Sequence, residues 1–184
     1  MGTIILGTGS CLPKRVMSNV ELESIVETND EWIRSRTGIE NRRVGGAGEK
    51  TYQLAASAAR RALDMAAVDA KQIELLVVGT VSSLMRMRSC ACDGQYELGA
   101  PTAFAYDLNA ACCGFHYGLD AGDRYVRTDE QSKVLIIGAE TLSSRVNWQD
   151  RNTGILFGDG AGAAVLGHSE DSGRKIIGPN HRAD

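Results

Sequence analysis

Hydrophobic and polar positions follow two alternating rhythms along the chain. Thr3–Gly9, Leu75–Val81, Ala103–Leu108, Val134–Ile137 and Ala161–Leu166 are short runs with the apolar content of β-strands. The run at Leu75–Val81 is apolar throughout, as expected of a strand buried on both faces. Between these runs the spacing turns helical. Asn19–Val26 and Asp30–Arg36 predict short helices, with Ser18 or Asn19 and then Asn29 or Asp30 as caps. Residues 51–67 place Leu54, Ala55, Ala58, Ala62, Met65 and Ala66 on one face, and Arg60, Arg61 and Asp64 on the other. Residues 89–98 form a weaker helical stretch. A helix running to about Arg127 carries Phe115, Leu119, Gly122, Tyr125 and Val126 along one side. Strands alternating with helices predict an α/β layer fold with a largely parallel sheet.

Composition narrows the class. The 184 residues are 43% hydrophobic and 23% charged, with a formal net charge of −3, which is the balance of an ordinary globular chain able to bury its own core. The acidic balance and the lack of a basic run argue against nucleic acid as a partner. No apolar stretch approaches membrane-spanning length. Met1–Leu6 lacks the basic and apolar regions of a signal peptide, and Leu6 breaks the myristoylation pattern. A cytoplasmic location without a membrane partner is the expectation. The five cysteines (Cys11, Cys90, Cys92, Cys112 and Cys113) are odd in number and do not form a disulfide framework. Cys90 and Cys92 lack the partners of a zinc site, so no metal is expected.

Two glycine patterns invite nucleotide readings and fail them. Gly7-Thr8-Gly9 lacks the third glycine and the following helix of a dinucleotide fingerprint, and Gly158–Ala163 lacks the Gly-Lys-Ser/Thr ending of a phosphate loop. Close backbone packing explains both. Cys112 is different. Asn109-Ala110-Ala111-Cys112-Cys113-Gly114 follows a strand and opens a helix, which displays a thiol at a helix N-terminus. Amide groups and the helix dipole there favour thiolate and a negative thioester oxygen, the needs of acyl transfer through a covalent intermediate. A buried packing cysteine is the competing reading, and Cys113 is read as packing. His116 lies one helical turn after Cys112 but points along the helix side; His168 and His181 are no better placed as bases. Trp32, with Arg34, Arg36, Arg42 and Arg43 following, suggests a corner for a flat base and phosphates, set against a solvated helix anchored by one indole.

Three blocks carry a family resemblance. Thr28–Ile39, Phe104–Cys112 and Gly154–Ala164 resemble, in order and spacing, the signatures of β-ketoacyl-acyl carrier protein synthase III. The resemblance implies a thiolase-like fold, of which this chain would be one βαβαβ half with a mostly parallel five-stranded sheet flanked by helices. Residues 1–172 would form that N-terminal half, and 173–184 would begin a second. Cys112 would be the acyl-accepting nucleophile. Trp32 and Arg151 would sandwich the adenine of coenzyme A, with Thr28 and Arg36 beside the nucleotide. Acyl-CoA is then a substrate and no cofactor is required. The acyl-enzyme would condense with malonyl-acyl carrier protein and release carbon dioxide, starting fatty acid synthesis in a cytoplasmic homodimer whose N-terminal halves pair their sheets.

Departures from the family accompany the match. Ser82-Ser83-Leu84 and Arg88-Ser89-Cys90-Ala91 stand where the family has proline-containing turns, Asp93 and Gly94 occupy usually apolar helix positions, and Asn152 replaces a glycine. The family's catalytic His and Asn, and the loop completing its oxyanion hole, belong to a half absent from this sequence, so the chain alone is expected not to condense acyl groups. The competing expectations are a noncatalytic dimerisation module, a related polyketide- or quinolone-type synthase, and a cysteine hydrolase pairing Cys112 with His116.

Overall fold

The computed structural model describes residues 2–85, 87–170 and 175–176. Its centre is a five-stranded sheet in the order β1-β7-β6-β4-β5, made of β1 (Gly2–Cys11), β4 (Ile73–Gly79), β5 (Phe104–Leu108), β6 (Lys133–Thr141) and β7 (Asp159–Ser169). β5, β4 and β6 are parallel neighbours, whereas β7 runs antiparallel to both β6 and β1. Four strands therefore point one way and β7 alone is reversed. All five apolar runs of the sequence are sheet strands.

Alternation along the central strands feeds two cores. Leu76, Val78, Leu135, Ile137 and Val165 pack under α3 (Thr51–Ala66) and α4 (Cys90–Leu98), and Leu75, Val77, Val134, Ile136 and Leu166 under α5 (Gly114–Thr128). The molecule is thus a three-layer α/β/α arrangement. Each of these fully buried aliphatic side chains contributes roughly 1.5–3 kcal/mol relative to exposure.

Small residues set how near the helices come. A Cβ at Gly7 would lie 2.5 Å from the Ala62 carbonyl oxygen, and one at Gly9 would lie 2.2 Å from that of Ala58. The Gly7-Thr8-Gly9 segment thus lets α3 rest on β1 and opens no nucleotide loop. Ala55, Ala58, Ala59 and Ala62 are buried on the same contact. Met65 departs from the expected buried face: it is 66% exposed, and its sulfur accepts a hydrogen bond from the Thr8 amide at 3.2 Å. On α5 the sheet-facing side is Gly114, Gly118, Gly122 and Val126, with Phe115, Leu119 and Tyr125 flanking it half-buried.

Between β1 and α3 the chain makes an excursion. β2 (Arg15–Ser18) pairs antiparallel with β3 (Asn41–Val44), enclosing α1 (Asn19–Glu23) and α2 (Asp30–Thr37). The Ser18 and Asn29 side chains cap these helices by accepting from the Glu21 and Trp32 amides. Gly38, at φ 71°, ends α2 in the left-handed region that glycine tolerates best. A third cluster of Met17, Leu22, Ile33 and Ile155 fills the excursion, with Trp32 and Trp148 against it. The four-residue helix α6 (Arg151–Gly154) completes this side.

Candidate active site

Cys112 lies on the connection from β5 to α5. A 3-10 turn spans Ala111–Cys113, α5 starts at Gly114, and Cys112 is exposed. Ala111 has φ 45°, one of two non-glycine residues with positive φ among those described. Left-handed backbone at a β-carbon residue costs of order 1 kcal/mol, so packing must hold the turn in place. Three contacts do so: Thr80 donates its amide to the Leu108 carbonyl at 3.2 Å, Cys113 donates to the Ala110 carbonyl at 3.0 Å, and a Cβ on Gly114 would lie 3.1 Å from Gly79 Cα. The start of α5 therefore rests directly on the end of β4.

The walls beside this turn are polar and cross-braced. Glu140, at the end of β6, accepts from the Val81 amide at 2.8 Å and from the Thr80 and Ser82 hydroxyls. Ser82 in turn accepts the Thr141 amide at 2.8 Å. Asp107 of β5 accepts from the Cys90 and Ala91 amides at 2.8 and 2.7 Å, placing a carboxylate on the N-terminus of α4. These two carboxylates went unremarked in the sequence, where Asp107 interrupting the Phe104–Leu108 strand was the available signal. The same groups affect Cys90. Burial, then Asp107, Asp93 and Glu140, push its thiol up to about 12. Cys90 is therefore a packing residue, whereas Cys112 is open to solvent.

The altered 82–94 stretch contains its own compensation. Arg88, at an expected proline position, pairs with Asp93, at an expected apolar one, at 2.6 Å. The Asp93 side chain is only 13% exposed, so the ion pair offsets the desolvation its carboxylate meets there.

No histidine joins Cys112 among the described residues. The His116 ring stands edge-on to Phe115 at 6.3 Å, and no hydrogen bond connects it to Cys112. His168 is on β7 with Nε2 3.7 Å from Glu130. His181 lies outside the described residues. Cys113 faces Tyr117, whose hydroxyl pKa is raised by the thiol's charge and hydrogen bond. Among the described residues, no three His, Cys, Asp or Glu side chains gather as for a metal, and no helix is long and apolar enough to cross a membrane.

A second constellation forms where α2 meets α6. The Arg36 Cζ lies 4.4 Å from the Trp32 ring centroid and the Arg151 Cζ lies 4.7 Å from it, both within cation–π range. Three of the four residues expected around a nucleotide are thus in contact, although Arg151 is far from the other two in sequence. Thr28, just before α2, has a buried hydroxyl without a hydrogen-bond partner. Arg34 turns away to Glu40 at 2.8 Å and Asp30 at 3.6 Å. Arg42 is buried, at 6% exposure, and so is not a free phosphate ligand.

The glycine-rich start of β7 is structural. Asp159 accepts from the Gly45 amide at 2.6 Å, the Ser143 amide at 2.8 Å and the Ser143 hydroxyl at 2.5 Å. A Cβ on Gly158 would lie 3.1 Å from the Arg43 carbonyl oxygen.

Residues 106–184 match the family model described as 3-oxoacyl-[acyl-carrier-protein (ACP)] synthase III. A β-ketoacyl-[acyl-carrier-protein] synthase III of Desulfotalea psychrophila is 58% identical over 170 residues, covering 92% of this chain and 52% of that protein. A synthase of the same name from Caldanaerobacter subterraneus is 48% identical over 180 residues, covering 98% and 54%. The chain thus spans about half the length of the curated relatives it matches. Among solved structures, 3-oxoacyl-[acyl-carrier-protein] synthase III from Aquifex aeolicus superposes with a TM-score of 0.89 at 46% identity, covering 92% of this chain and 55% of that one. The priming β-ketosynthase of the R1128 polyketide pathway gives 0.89 at 37% identity, covering 92% and 51%.

Proposed function

Since the chain belongs to the β-ketoacyl-[acyl-carrier-protein] synthase III family and has its thiolase-like fold, we propose that Cys112 is the acyl-accepting nucleophile of such a synthase and the Trp32 corner its coenzyme A mouth. The chemistry follows from thioester reactivity. The Cys112 thiolate attacks the acyl-CoA carbonyl, the coenzyme A thiolate leaves, and an acyl-Cys112 thioester remains. Amides at the start of α5 favour the transient oxyanion. Decarboxylation of malonyl-acyl carrier protein then supplies a carbanion, which attacks the acyl carbonyl and frees Cys112. Trp32, Arg36, Arg151 and Thr28 hold the nucleotide end of the thioester, far from the reacting carbon.

The observation that carries this reading is the exposed Cys112 on a braced, left-handed turn at the start of α5. Decarboxylation by a His and Asn, and completion of the oxyanion hole, fall to the length of the relatives that this chain does not span. Residues 1–172 are accordingly the N-terminal half, and 173–184 begin the second half, all of it outside the described residues except 175–176. A cytoplasmic homodimer is the proposed working form.

Mixing the chain with a separately produced second half of a relative tests the reading. Acetyl-CoA should acylate Cys112, seen as a mass increment on its peptide, and malonyl-acyl carrier protein should then be condensed. Cys112→Ser should abolish both steps. Folded halves that associate while Cys112 takes up iodoacetamide but never an acetyl group would instead establish a noncatalytic module.

A further inference from the structure

Arg42 of β3 has no part in the chemistry above, yet it occupies a costly position. A guanidinium at 6% exposure is normally matched by a carboxylate. Among the described residues no ion pair includes it. Its Nε has no hydrogen-bond partner, and burial lowers its pKa. Its other nitrogens reach three separate places. One donates to the Met17 carbonyl of β2 at 3.2 Å; the other donates to the Asn19 side-chain oxygen at 2.7 Å and to the Ile155 carbonyl, just past α6, at 3.3 Å.

Asn19 passes the link onward. Its Nδ2 donates to Asp30, the first residue of α2, at 2.8 Å and to the Ile39 carbonyl, just beyond the end of α2, at 2.7 Å. One planar fork thus ties the helix that carries Trp32 to the segment that follows Arg151. We infer that Arg42 is a positioning residue of the Trp32–Arg151 pair, fixing the spacing at which α2 and α6 present an indole and a guanidinium to a flat heteroaromatic ligand. The inference rests on the coenzyme A reading for the ligand's name, but the spacing itself exists in the free protein. Met17, Leu22, Ile33 and Ile155 form an apolar cluster beside Arg42 that an aliphatic side chain could join. Packing therefore does not call for a cation here, whereas bridging three acceptors calls for the guanidinium fork.

The test uses this chain with Trp148→Phe, which leaves Trp32 as the sole indole. Trp32 emission is compared between the parent, Arg42→Lys, Arg42→Met and Arg151→Gln, and coenzyme A is titrated into each. Both Arg42 variants should move Trp32 emission to the Arg151→Gln value and weaken coenzyme A by about tenfold. Cys90, buried at 2% exposure, should stay as protected from iodoacetamide as in the parent, which global loosening of the fold would not allow. Folded Arg42 variants with parental emission and parental coenzyme A affinity would overturn the inference. If neither variant folds, Asn19→Ala cuts only the arm to α2 and is held to the same outcomes. Displaced emission in a protein whose parent never binds coenzyme A would uphold the positioning role and remove the coenzyme reading instead.

Discussion

Cys90 and Cys112 each lie at or next to the start of a helix on the sheet, and their surroundings give them opposite fates. Cys90 has 2% exposure and faces Asp107, Asp93 and Glu140, which with burial raise its thiol to about 12. An unfolded cysteine titrates near ~8.5. Below that pH both states are protonated and the stability associated with the buried neutral thiol is complete. Between about 8.5 and 12 only the unfolded chain releases the proton, so stability falls as pH rises. Urea unfolding from pH 8 to pH 10 should therefore cost the parent about 1–2 kcal/mol more than Cys90→Ala. Equal slopes for the two proteins would show that Cys90 is not isolated from solvent. Local sequence distinguished Cys112 from its neighbours because small residues and a strand-to-helix switch are sequence features. The contact of Trp32 with Arg151 was not visible locally, because the two residues meet only after the β2–β3 excursion folds back; only the family blocks linked them.

Four helices, α2 to α5, were readable to within a residue or two because their caps and apolar spacing are local. By contrast, α1 ends at Glu23, short of the expected Val26, and the four-residue α6 was not read. Nor were β2 and β3: each has four residues, with charged Arg15, Arg42 and Arg43 breaking any alternation. The buried face read for α3 holds as far as Ala66, which packs against Gly7 of β1, but Met65 within it turns outward to the Thr8 amide. α4 shows a different limit. Its departures looked like separate liabilities, yet Arg88 and Asp93 form one pair across the first turn. Gly94 remains uncompensated: it is buried, its backbone is helical, and a Cβ there would meet no atom within 4 Å. Gly94→Ala should stabilise the chain by about 0.5–1 kcal/mol in urea unfolding. A loss of stability would mean that a neighbour closes over this position.

At the scale of the whole molecule, the sheet has two unequal edges. β1 is covered on one face by the long α3, whereas β5 ends the sheet with Phe104 67% exposed and tilted against Tyr106 at 5.9 Å. A free edge with an exposed aromatic residue favours pairing with a second strand, and the proposed homodimer would use it. Phe104→Glu should halve the mass measured by light scattering and leave Cys112 alkylation unchanged. An unaltered dimer would move the interface elsewhere.

The glycines that let α5 lie close to the sheet also decide when that helix can exist. Gly118 and Gly122 each weaken an isolated helix by about 1 kcal/mol relative to alanine, so α5 depends on its platform. That platform includes Leu166, only 2.7 Å from where a Gly122 Cβ would be, and Leu166 belongs to β7, which leaves the ribosome after α5. During synthesis the end of β4 can brace the Cys112 turn early, whereas the middle of α5 at Gly122 lacks part of its platform until the reversed strand is inserted.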